Sequence, residues 1–220
     1  TLQDIIGKEP LHWRGDRDGL EEFNGAFIGL QGDDQNLTPS EMQEYEDFLA
    51  TIHFPPNPYR NLDNSLPANL PLPGHYTSGR FQMAGIPLPD GNAQRGLTLY
   101  TTGLLDGPLH CASCHTLPTG MAVNGPLILG ALNFAVGGSV MPLGPMGENH
   151  LGIVSTDGST NVSIKVPQLR NQHEKVGFEM TQVENLAGFS FLHDGSVDSL
   201  SRFFSARVFS VRSDQDVADL

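Results

Sequence analysis

Cysteine is almost absent from this chain: 2 residues in 220. A structural zinc site normally takes four ligands and a second Cys/His pair, so a single pair of neighbouring cysteines excludes that architecture. Basic residues are also scarce. Twelve Lys and Arg stand against 25 Asp and Glu, which gives a formal net charge of −13 and a pI near 4.8. Such a chain repels phosphates, and this argues against a nucleic-acid partner; it suits solubility and docking to a basic protein. No run of about 18 apolar residues exists, so no segment is built to span a bilayer. No signal peptide and no internal repeat is visible, and the chain starts at Thr1 without a methionine, as a processed or trimmed chain would. Hydrophobic residues make up only 38%, against 25 glycines and 16 prolines. That balance predicts short helices joined by long loops and a core short of apolar side chains.

What the sequence does have is Cys111-Ala112-Ser113-Cys114-His115, which holds both cysteines and sets a histidine directly after the second. This is the attachment pattern of a c-type haem. Two thiols three positions apart on one helical turn can each add to a porphyrin vinyl group, while the next imidazole reaches the iron from the same side. A thioredoxin-like redox pair would open a helix after a strand in a βαβ pattern, which this region lacks. A plain disulfide would leave His115 without a reason. The reading is therefore one covalent haem c, with Cys111, Cys114 and His115 as its attachment and proximal ligand, and with the haem supplying apolar core that the chain lacks. Covalent attachment is completed outside the bacterial cytoplasm, which predicts a periplasmic or extracellular protein. The length is long for one small cytochrome and short for two complete haem domains. The expected fold is mainly α, a cytochrome c-like haem domain with long loops and few or no strands.

Three stretches are expected: a helical linker or interdomain segment over 1–56, a Pro/Gly-rich loop over 57–90, and the c-type haem domain over 91–220, truncated at both ends. In the first, Leu20, Phe23, Phe27 and Leu30 have helical spacing within Leu11 to Gly32, with Asp18 as cap and Gly32 as stop. Thr38, Pro39 and Glu41 form a capping-box signature, followed by a stripe of Met42, Tyr45, Phe48, Leu49 and Ile52 that Pro55-Pro56 ends. The haem helix pair is expected from Asn92 to Leu117, with a turn at Gly103 to Pro108. Gly120 to Gly158 reads as loop over a cofactor edge. Ser163 to Arg170 reads as an extended piece turning into a helix. Val197, Leu200, Phe203 and Phe204 form an amphipathic turn, and Ser213 caps an acidic first turn at the end.

These elements resemble the bacterial di-haem cytochrome c peroxidases and the MauG-like enzymes, over most of the chain. Trp13-x-Gly15 with Leu20-Glu21-Glu22 and Pro39-x-Glu41-Met42 is similar to the family's linker and first-haem pocket. Cys111 to His115 is similar to its second haem motif, Val166-Pro167-x-Leu169-Arg170-Asn171 to its crossing element, and His193-Asp194-Gly195-Ser196-Val197 to the turn near that haem. The family's first haem motif, where peroxide reacts, should lie before Trp13 and is absent. The resemblance therefore implies the electron-transfer half. Where the family carries the distal methionine, this chain has Ala206-Arg207-Val208, and arginine cannot supply that ligand.

The candidate distal ligands are Met180 and His193, which both follow the crossing element, with Met121, Met141, Met146, His150 and His173 behind them. A methionine in any of these places is otherwise a core gap-filler. Trp13, the only tryptophan, is by resemblance a relay between two haems, or else a large core side chain. Glu41 matches the family's acid-base glutamate, although the capping box with Thr38 accounts for it without any chemistry. Arg170 pairs either with a haem propionate or with a surface acid. Asp16-Arg17-Asp18-Gly19 opens like a calcium loop but has Phe27 at the twelfth position, so a solvated turn is the better reading. Three functions follow: a carrier passing single electrons to a redox partner protein or a second haem domain; part of a di-haem peroxidase or oxygenase whose first haem lies outside this chain; or a sensor whose iron keeps an open position.

Overall fold

The capping-box signature folds as the sequence predicts. The structure, a computed structural model, describes residues 2–9, 11–12, 17–118, 120, 152–154, 163–175, 191–192, 195 and 197–220. It divides into two units, Thr1–Pro55 with Cys114–Leu169, and Pro56–Ser113 with Arg170–Leu220. Among the described residues the chain is mainly helical, with one two-stranded ladder. No helix among them is long and apolar enough to cross a membrane.

In the first unit a 3-10 turn, Leu20–Phe23, leads into helix α1, Gly25–Gly29, and helix α2 spans Pro39–Ala50. The single helix expected between the Asp18 cap and the Gly32 stop is instead a 3-10 turn followed by the short helix α1. Ahead of it Leu11 pairs with Arg17 in an isolated bridge, and helical structure starts at Leu20, one residue after the expected position. Asp18 is not the cap: Gly19 holds that position in extended conformation, and the Asp18 backbone N–H donates to Glu22 Oε2 at 3.1 Å. Gly25 and Gly29 bound α1, and each costs about 1 kcal/mol against alanine in a helix, which keeps this helix short. Gly32 does not end the helix either, because α1 stops at Gly29. Asn24 then ties α1 to the approach of α2, donating to Leu37 O at 2.8 Å and accepting from Leu37 N at 2.9 Å.

In α2, the Thr38 hydroxyl accepts from Glu41 N at 3.3 Å while Glu41 Oε2 accepts from Thr38 N at 2.8 Å. Met42 and Leu49 are buried with Leu11 and Leu20, and Tyr45, Ile52, Phe23 and Phe27 pack around them. Phe48 is 60% exposed, contrary to expectation. At 100° per residue it lies roughly 80° off the centre of the stripe formed by residues 42, 45, 49 and 52. The helix stops at Ala50, short of Pro55-Pro56, because the Thr51 hydroxyl turns back to Phe48 O at 2.7 Å. Asp4 then holds the exit, with its carboxylate accepting from Phe54 N at 2.9 Å and lying 2.8 Å from His53 Nδ1.

Replacing Thr38 by alanine will cost about 1 kcal/mol of stability in urea titrations. The Glu41 carboxyl lies below the usual range, first because the Thr38 backbone N–H donates to it and second because the hydroxyl does. A depressed carboxyl stabilises the fold above its unfolded pKa and loses that contribution as pH falls through the folded value. Thr38→Ala keeps the backbone donor and removes the hydroxyl, so it will weaken this acid-side loss without abolishing it.

Strands β1, Gly152–Val154, and β2, Ser163–Lys165, pair antiparallel with Ile153 opposite Ile164. The expected helix after β2 is only a 3-10 turn, Gln172–Glu174, entered through Asn171 in left-handed conformation (φ +59°). Asparagine tolerates this conformation better than most residues, and it stops an α-helix from starting there.

In the second unit Asn57 to Asp90 has no helix, as predicted, and is held by bridges between Leu70 and Gly91 and between Tyr76 and Pro87. Helix α3, Ala93–Thr102, is capped by Asn92; α4 is Leu200–Phe204; and α5, Asp214–Asp219, is capped by the Ser213 hydroxyl. Leu88, Leu105, Val211, Val217 and Ala218 form the core, with Leu99, Cys111 and Phe204 packed against it. The acids of α5 are buried rather than solvated. Asp216 and Asp219 both bind the Arg95 guanidinium on α3, and Asp219 Oδ1 also accepts from Asn92 N at 2.7 Å. These bonds, Asp219's first and Asp216's second, hold Arg95 above its ordinary pKa. Arg95→Met will strand two buried carboxylates. The loss will be about 3 kcal/mol, at the low end for a broken buried pair because Arg95 itself is half-exposed, and Asp219→Asn in the same background will recover part of it.

Candidate metal centre

Cys111–Ser113 form a single 3-10 turn rather than the second helix of the expected pair. The reason is local. Asp106 and Leu109 close a tight hairpin through mutual backbone bonds of 3.0 Å, and Pro118 follows soon after His115, so too few residues remain for an i→i+4 ladder. The hairpin is fixed in turn: Asp106 bridges to Phe209, and Ser210 N donates to Leu105 O at 2.7 Å. Within the turn Ser113 N donates to His110 O at 2.9 Å, and the buried Ser113 hydroxyl lies 2.8 Å from His110 Nδ1. Neither cysteine is in a disulfide, and both are half-buried.

The His115 ring is anchored by backbone. Its Nδ1 is 2.6 Å from Gly120 O. A carbonyl can only accept, so Nδ1 carries the proton and the lone pair of the neutral ring is on Nε2. Burial pushes the His115 pKa below its ordinary value, and the Gly120 and Pro167 carbonyls pull it partly back. The ring is therefore neutral at pH 7. Gly120 sits at φ +69° with Leu169 against it, where an added Cβ would lie 2.9 Å from the leucine side chain. Both the conformation and the space call for glycine. Val166, almost fully buried, precedes Pro167. The stretch Val166 to Leu169 is thus brought onto the turn that carries His115.

The other candidates are placed as follows. Arg170 is half-buried, directly after Leu169. His173 packs edge-on against Tyr59, with ring centroids 6.1 Å apart. Glu41 is exposed and engaged in the cap of α2. Phe191 and Val197 pair across the turn that contains Gly195. The Ala206 to Val208 segment lies at the surface, with Val208 exposed; the Arg80 guanidinium fixes it by donating to Ala206 O and Phe209 O, each at 2.9 Å. Trp13, Asp16, Met121, Met141, Met146, His150, Met180 and His193 lie outside the described residues. Sequence reasoning missed Gly120 as the acceptor for His115, the His110–Ser113 pair, and both structural arginines.

Among the described residues no three His, Cys, Asp or Glu side chains converge on a possible metal position. A haem makes a smaller demand, because the porphyrin supplies four nitrogens and the protein only the axial ligands and the attachment. The residues present fit that demand: one thiol within the 3-10 turn, a second directly after it, and then a neutral imidazole oriented by Gly120. No protein-family model, curated protein or solved structure matches the chain.

Proposed function

We propose that this chain is a c-type cytochrome domain that carries one covalent haem and transfers single electrons, with a cytochrome c-like fold akin to the second haem domain of the di-haem peroxidase and MauG-like family. The observation that carries this reading is His115: its ring is set by Nδ1 donation to Gly120, directly after two cysteines held outside any disulfide. The haem, when bound, supplies a one-electron couple at its iron. The chain's own residues do the rest. Cys111 and Cys114 would fix the macrocycle, His115 Nε2 would offer the proximal lone pair, and the Gly120 carbonyl raises the basicity of the ring by accepting from Nδ1. Arg170, next to the Val166–Leu169 stretch, is the group proposed to meet a propionate, as a planar donor for a carboxylate. Met180 and His193 are the proposed distal ligands. The partner is a basic redox protein or a second haem domain, and the compartment is the periplasm or exterior.

A second reading makes the chain the relay part of a di-haem peroxidase or oxygenase. Exposed apolar side chains do not single it out: Ile28, Leu30 and Phe48 are 44%, 86% and 60% exposed on one unit, and Leu62, Met83 and Val208 are 110%, 77% and 63% exposed on the other. Glu41 does not support it, because its carboxylate is occupied in the α2 cap.

The test is expression with a haem-attachment system, then intact mass under denaturing conditions and spectra of the oxidised, reduced and peroxide-treated protein. The chain plus one haem, low-spin and unmoved by peroxide, is the expected result for a carrier. A high-spin iron that reacts with peroxide would favour the second reading. A chain without covalent haem would overturn both.

A further inference from the structure

We propose that His110 and Ser113 are positioning residues for haem attachment, deciding whether one or both thiols become joined to the porphyrin. This inference rests on the haem reading of the preceding subsection. The pair links the same two residues twice, through Ser113 N to His110 O at 2.9 Å and through the Ser113 hydroxyl and His110 Nδ1 at 2.8 Å. The closed turn has Cys111 inside it and Cys114 immediately after it.

His110 is itself anchored. It follows the Asp106–Leu109 hairpin, which is bridged to Phe209 and bonded through Leu105 O to Ser210. Leu105 and Val211 belong to the core of that unit. The hydroxyl of Ser113, only 4% exposed, therefore transmits the fixity of a packed core into the CxxC turn. Ala112, the other intervening residue, has no group that could do so.

The chemistry makes this fixity matter. Each thiol adds across one vinyl group: an S–C bond forms at the carbon next to the ring, the C=C π bond breaks, and the thiol hydrogen ends on the terminal carbon. No electron is gained or lost. The vinyl groups sit on a rigid macrocycle, so after the first addition the second is intramolecular, and its success depends on how narrowly the turn holds the remaining sulfur. An open turn lowers the effective concentration of that sulfur and leaves product with a single thioether.

The experiment compares Ser113→Ala and His110→Phe with Ser113→Thr and His110→Asn, all expressed with a haem-attachment system. Only chains that carry covalent haem are counted. Their remaining thiols are alkylated and mapped by peptide mass, and the pyridine haemochrome band reports any unsaturated vinyl group. In the first two variants the ratio of one-thioether to two-thioether chains is expected to rise about tenfold, the effect of one lost buried hydrogen bond; in the two conservative variants it is expected to return towards wild type. Two thioethers in every variant, with or without a lower melting temperature, would overturn the inference while the haem reading stands. Wild-type chain without covalent haem would overturn the haem reading, and this inference with it.

Discussion

The Cys111→Ser/Cys114→Ser double variant will be free of covalently bound haem after acid-acetone extraction, while wild type keeps it. The expected difference is all-or-none, because no other cysteine exists in the chain. Each single variant will retain haem through one thioether. His115→Ala acts differently: it leaves both thiols in place and removes the ring oriented by Gly120. Haem will attach in that variant, but the iron will lose its proximal ligand and the low-spin spectrum with it. In the haem-free chain the same ring gives a pH signature. Its folded pKa is depressed, so below the unfolded value of 6.5 the unfolded chain binds a proton that the folded chain resists. Stability then falls as pH drops from 6.5 through the folded pKa, and His115→Gln will flatten that slope in urea titrations taken at successive pH values.

Short-range features of this molecule were legible in its sequence. The Thr38 capping box, the Asn92 to Thr102 helix and the Ser213 cap all depend on residues within one turn of each other, and each formed at the expected place. Failures came where one competing term was local but weak, or where the partner was far away. Gly25 and Gly29 kept α1 short within the helix expected between Asp18 and Gly32, and a position at the edge of the α2 stripe put Phe48 in solvent. The burial of the α5 acids was not legible because their partner, Arg95, is 121 residues from Asp216 and 124 from Asp219. Gly120 likewise had no visible role until Leu169 and the His115 ring were seen against it.

Gly96→Val will detach α5 from α3 and lower the stability of the fold by about 4 kcal/mol, in the range where a substitution disrupts packing outright. Helix propensity alone predicts the opposite sign, because replacing glycine inside a helix normally gains up to about 1 kcal/mol. The decisive term is the crossing. A Cβ built on Gly96 overlaps the Asp219 carbonyl oxygen, and one on Gly91 overlaps that of Ala218. Both obstacles are backbone, so no rotamer change can remove them, and the helices must separate. Separation withdraws Val217 and Ala218 from their cluster with Leu88, Leu105 and Val211, and it pulls Asp219 away from Arg95 and Asn92 N. Amide exchange confined to residues 214–219 will report the loss before global unfolding does. Gly25→Ala is the matched control. An added Cβ there meets nothing within 4 Å, so only the propensity term operates, and the variant will be as stable as wild type or up to about 1 kcal/mol more stable. Opposite signs for the two glycines will show that the close approach of α3 and α5, and not glycine content as such, sets the cost.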